Sequence, residues 1–191
     1  MKKESAKDLY KLGQYGEAIK TFKTAAEMVE SAIADFPLFK AELNQVEATI
    51  FNNIAACCKY ELNHKMEVEY TTKVIERSQY LTDKNVILKA MLRRGLAYEQ
   101  QEKYLQARED MLSVKSLQAD NKQASECLNR CNKAIKDIYG SKVPEVQKNK
   151  PIVLATDSSL LTPAPAKTPA PKTTPKNEDA DDQPTLVDLN K

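Results

Sequence analysis

The sequence has no tryptophan, four glycines and a single histidine, His64. None of the glycines forms a GxGxxG or GxxxxGK(S/T) arrangement, which excludes the loops that cradle phosphate in nucleotide-binding folds. With one histidine and no serine or cysteine motif beside it, no nucleophile–base pair is in sight, and an enzyme is not expected. No stretch reaches the 18 or so apolar residues of a membrane span. The opening MKKESAKDLYKLG also lacks a signal peptide's apolar core, so the expectation is a cytoplasmic chain with no membrane insertion. The 29 basic and 27 acidic residues leave a net charge of +2, too little excess for a general nucleic-acid binder.

The four cysteines, Cys57, Cys58, Cys127 and Cys131, form no CxxC spacing. They are expected to be reduced thiols packed as small apolar residues, with no metal site and no cofactor. Proline is scarce until late: Pro37 stands alone before Pro144, and the other eight follow. Beyond residue 140 the composition turns to PAPAKTPAPKTTPK and then acidic NEDADDQ, without aromatics. Such a segment buries too little apolar surface to order itself. The expected division is therefore a folded unit over 1–140 and a disordered tail over 141–191.

Within 1–140 every segment carries helical periodicity, and strand-like alternation is absent. Short breaks at Gly13–Gly16, Phe36–Pro37, Leu62–His64, Leu81–Lys84, Glu102–Lys103 and Ala119–Asn121 mark about seven helices. Pro37 suits a helix's first turn, and Gly140 suits a C-cap.

The helix pairs repeat a pattern. Tyr15, Ala18, Phe22 and Ala25 recur as Tyr104, Ala107, Met111 and Val114, with Ala6 or Gly95 on the preceding helix. Small residues at these places let two backbones cross closely while large ones fill the adjoining groove. A middle pair fits through Ala55, Ala56 and Val74, but has Glu67 where a small residue is expected and one residue inserted at its turn. Equivalent positions then run about 48 and about 41 residues apart, with the extra length in residues 27–50. The last helix, residues 121–139, is expected to bury Ala124, Leu128, Ala134, Ile135 and Ile138 and to cap the stack.

These positions resemble the tetratricopeptide repeat, with a first repeat lengthened as in immunophilin co-chaperones. The resemblance implies an all-α fold of three helix pairs plus a capping helix, wound as a short right-handed superhelix. Its concave groove would be lined by the first helix of each pair. It further resembles the carboxylate-clamp type, whose pattern is Lys then Asn four later, one Asn, and Lys then Arg four later. Here those places hold Lys3 and Lys7, Asn52, and Lys89 and Arg93, with Lys7 departing from the pattern's Asn.

The clamp resemblance implies an adaptor that binds the acidic C-terminal peptide, Glu-Glu-Val-Asp in type, of heat-shock protein 70 or 90. The tail would lead to a client or second partner. The alternative is a structural scaffold subunit of a larger assembly, ciliary or otherwise, whose groove takes an internal helix or loop. The remaining residues have plainer readings. Tyr15, Tyr98 and Tyr104 belong to the core, His64 is a solvated turn residue, and Glu109–Asp110 lie on a solvated helix face.

Overall fold

The computed structural model describes residues 5–140. The tail expected over 141–191 lies outside the described residues. Seven α-helices follow one another: α1 (Ala6–Lys11), α2 (Tyr15–Asp35), α3 (Lys40–Tyr60), α4 (His64–Glu76), α5 (Lys84–Gln100), α6 (Tyr104–Leu117) and α7 (Lys122–Tyr139). No strand occurs among the described residues. The chain is an all-α stack of the tetratricopeptide type, with α1–α2, α3–α4 and α5–α6 as pairs and α7 against the last of them.

Side chains that satisfy free backbone N–H groups set the helix starts. Ser5 opens α1 with a capping box: its hydroxyl accepts from the Asp8 N–H at 3.3 Å, and Asp8 reaches back to the Ser5 backbone. The side chains of Asn63, Asp83 and Asn121 cap α4, α5 and α7 in the same way. Pro37 begins a short 3-10 turn, Pro37–Phe39, that runs into α3, so it precedes the helix instead of starting it. At 21 residues each, α2 and α3 are roughly 32 Å long, which is where the added length of the first repeat lies.

Each pair turns through the same backbone device. Gly13, Leu62 and Glu102 have positive φ, at 73°, 54° and 58°. Beside them the N–H groups of Gln14, Asn63 and Lys103 each donate to the carbonyl five residues back, on Leu9, Cys58 and Tyr98, at 2.9 Å. This is the Schellman closure of a helix end. Its recurrence measures the repeat directly. The second and third turns are 40 residues apart, and the first and second are 49. The middle turn holds no inserted residue, and the spacings of 41 and 48 expected from the sequence are corrected accordingly.

Helix packing follows the small-residue rule. A Cβ on Gly95 would overlap the Met111 methyl and stand 3.1 Å from Asp110 Cβ and 3.3 Å from the Ala107 carbonyl oxygen. Thus α5 and α6 cross at a distance that only glycine permits without a shift. The core runs continuously from Ala18 and Phe22 through Ile50, Ile54 and Val74 to Met111, Val114 and Leu128. Tyr15, Tyr98 and Tyr104 are half-buried against it. On α7 the buried face is Ala124, Cys127, Leu128, Cys131 and Ile135. Of the residues expected inside, Ala134 is half-buried and Ile138 is 58% exposed.

Candidate functional site

The first helices of successive pairs, α3 with α5 and α5 with α7, pack directly on one another, more closely than the second helices do. The stack therefore curves with its first helices inside, and side chains at their shared face converge. On α5 that face carries Lys89, half-buried, and Arg93 one turn later, 5% exposed. On α3 it carries Asn52, 4% exposed.

Asn52 links the two helices. Its Nδ2 donates to the Val86 carbonyl at 2.9 Å, and its Oδ1 accepts a long bond, 3.5 Å, from Arg93 Nη1. Residues 41 apart in sequence are thus brought together, and Lys89 joins them through its helix. Lys7 lies on α1 and is exposed. Lys3, expected on the same helix face as Lys7, lies outside the described residues, and the helix begins at Ala6 under the Ser5 cap.

The 40-residue register adds a residue that the sequence reading passed over. It is Asn53, not Asn52, that occupies on α3 the position Arg93 occupies on α5, as Ala55 matches Gly95 and Leu62 matches Glu102. Asn53 is 1% exposed, and neither its amide nitrogen nor its oxygen has a hydrogen-bond partner. A buried amide left unsatisfied costs on the order of 1–3 kcal/mol, a cost of the kind functional positions retain. The signal was present in the adjacent asparagines, but only the turn register separates the two.

Charges around the site are mixed. Burial pushes the Glu67 carboxyl of α4 above its ordinary range, against the pull of a His64 hydrogen bond and of the Lys59 and Arg93 cations. His64 itself opens α4, half-buried, with Nδ1 3.2 Å from Glu67 Oε2, so it is no free solvated turn residue. Burial also raises the Cys57 thiol to about 12, with Arg93 drawing it down. The thiols of Cys58, Cys127 and Cys131 are likewise raised, chiefly by burial, which is the opposite of an activated nucleophile.

Beside Arg93, Arg94 points away into the α5–α6 crossing. Its Nε and Nη2 grip Asp110 at 2.8 and 2.7 Å, and both side chains are buried. Asp110 is therefore not part of a solvated face. Of the adjacent arginines, one serves the inner face and the other the core.

No helix among the described residues is long and apolar enough to cross a membrane. No family model matches the chain. It is 25% identical over 157 residues to sperm-associated antigen 1 of Mus musculus and, to the same extent, of Rattus norvegicus; each alignment covers 78% of this chain and 16% of the relative. It is 30% identical over 133 residues to the mitochondrial import receptor subunit TOM34 of Mus musculus, covering 69% of this chain and 38% of that protein. The chain thus spans well under half the length of the curated relatives it matches.

Proposed function

We propose that the chain is a non-enzymatic adaptor of the carboxylate-clamp type, whose inner face holds the acidic C-terminal peptide of heat-shock protein 70 or 90. The observation that carries this reading is the meeting of α3 and α5: Asn52 bonds to the Val86 carbonyl and to Arg93, and Lys89 stands one turn before Arg93 on α5. A peptide ending in Asp offers two carboxylates one residue apart. Arg93 suits a bidentate grip on one of them, Lys89 supplies a point charge, and Lys7 adds another from α1. Asn53 offers a neutral amide with both hydrogen-bonding ends free. Lys3 completes the set on this reading.

Each charge-assisted bond contributes roughly 1.5–3 kcal/mol. A few of them, after ordering costs, suit micromolar binding, on the order of −8 kcal/mol. The likeness to a protein named as a mitochondrial import receptor subunit supports a polypeptide as ligand. On this reading residues 1–140 are the binding unit, the chain works in the cytoplasm, and residues 141–191 tether a second partner or client.

One observation favours a second reading. Asn52 and Arg93 already bond to each other, which suits a scaffold groove that takes an internal helix or loop and uses these side chains to hold α3 to α5. Calorimetric titration with a Glu-Glu-Val-Asp peptide, as free acid and as C-terminal amide, separates the two. The clamp requires micromolar binding that the amide abolishes, that weakens with salt, and that falls at least tenfold in Lys89→Ala and Asn53→Ala. Equal binding of acid and amide, or none of either, overturns it.

A further inference from the structure

Cys127 and Cys131 stand one turn apart on α7, both fully buried, with their sulfurs 3.8 Å apart. Glu99, near the end of α5, brings a carboxylate oxygen to the same point, and the three ligating atoms all lie within 4.8 Å of one another. Tetrahedral zinc with bonds to sulfur of about 2.3 Å holds two thiolates about 3.8 Å apart, since a tetrahedron's edge is about 1.63 times its radius. The thiols already have that spacing.

We propose that Glu99, Cys127 and Cys131 form a site for a soft divalent cation of the zinc class, with two thiolates and one carboxylate as ligands and water in the fourth position. The charges close. Two thiolates and a carboxylate carry −3, the ion +2, and Arg130 +1. Arg130 donates from Nε and Nη2 to the two oxygens of Glu99 at 2.6 and 2.8 Å. It need not leave when an ion arrives, because each carboxylate oxygen has a second lone pair. It becomes the partner that fixes the ligand's orientation. The Arg130 side chain is 55% exposed, so the edge of the site meets solvent and gives an ion its way in.

Binding exchanges two S–H bonds for two metal–sulfur bonds and releases two protons to the buffer, since an ordinary thiol is protonated at neutral pH. The bound ion ties α7, the end of the stack, to α5, the helix that also carries Lys89 and Arg93. Spacing of the cysteines alone gave no hint of this, since the third ligand comes from another helix.

The test is titration of the reduced full chain with Co²⁺, followed through sulfur-to-cobalt charge transfer and tetrahedral d–d bands, with proton release measured in weak buffer and Zn²⁺ as competitor. The expected result is about one ion per chain and two protons per ion. Binding should persist in Cys57→Ala/Cys58→Ala and vanish in Cys127→Ala/Cys131→Ala. Glu99→Gln, which leaves the buried cysteines in place, should weaken binding at least tenfold. Absence of the thiolate band, its survival in Cys131→Ala, or undiminished affinity in Glu99→Gln overturns the proposal.

Discussion

The pairs α3–α4 and α5–α6 share one backbone frame, 40 residues apart, and fill it differently. Gly95, Ala107 and Met111 at the third pair's crossing correspond to Ala55, Glu67 and Thr71 in the second, and all six are buried. The buried Arg94–Asp110 ion pair stands where the second pair has Ile54 and Tyr70. Where the third pair brings its helices close through glycine and spends a buried ion pair beside the crossing, the second buries a carboxylate and a threonine. The Thr71 hydroxyl donates to the Glu67 carbonyl at 2.7 Å, and the Glu67 side chain rests on His64. The frame tolerates either filling because the polar groups at each crossing have partners.

The largest expected effect comes from breaking the ion pair. Asp110→Ala leaves Arg94 buried with only a 3.3 Å bond to Thr72, and should cost about 3–5 kcal/mol in urea unfolding. Transplanting the second pair's residues, as Arg94→Ile with Asp110→Tyr, should recover at least half of that loss. A double variant no more stable than Asp110→Ala would mean that the two frames are not interchangeable at this place.

Next comes the close crossing. Gly95→Val sets a branched side chain against the Ala107 carbonyl and Asp110 Cβ, and should destabilise by about 1–3 kcal/mol. Gly95→Ala meets chiefly the end of the flexible Met111 side chain and should cost less. Thermal unfolding of both variants measures the difference.

The smallest effect concerns Glu67, and its size depends on pH. Burial raises its folded-state pKa. Its contribution to stability is therefore full below the ordinary carboxyl range and is lost as pH rises through the folded value. Glu67→Gln should stabilise the protein at neutral pH by on the order of 1 kcal/mol and make little difference near pH 4. Urea titrations at the two pH values check it, and an equal shift at both would remove ionisation as the cause.

Helix number, turn positions and the lengthening of the first repeat were legible in the sequence, because apolar spacing, small residues and Gly13 report local geometry. The register of the middle pair was not. Glu67 disguises its anchor position, and Leu62 and Glu102 adopt left-handed turns without being glycine. A one-residue slip between Asn52 and Asn53 followed. The fate of Arg94 was equally illegible: a neighbour of Arg93 on the helix, it is drawn into the core by Asp110 of α6. Glu47 of α3, 1% exposed and held by Arg77 at the end of α4, is another case. Helical periodicity says which face a charge is on, not whether a second helix brings the opposite charge to it.

One consequence of the stacking concerns time. Among the described residues each helix packs on the helix that follows it in sequence, and the main further packing, α3 on α5 and α5 on α7, skips a single helix. Little chain entropy has to be lost before contacts form, which places folding in the microsecond-to-millisecond range of local topologies. The same arrangement lets the stack open from an end without dismantling the middle, so amide exchange should be fastest in α1 and the end of α7 and slowest in α3 and α5. The inner face then stays formed while its two borders breathe.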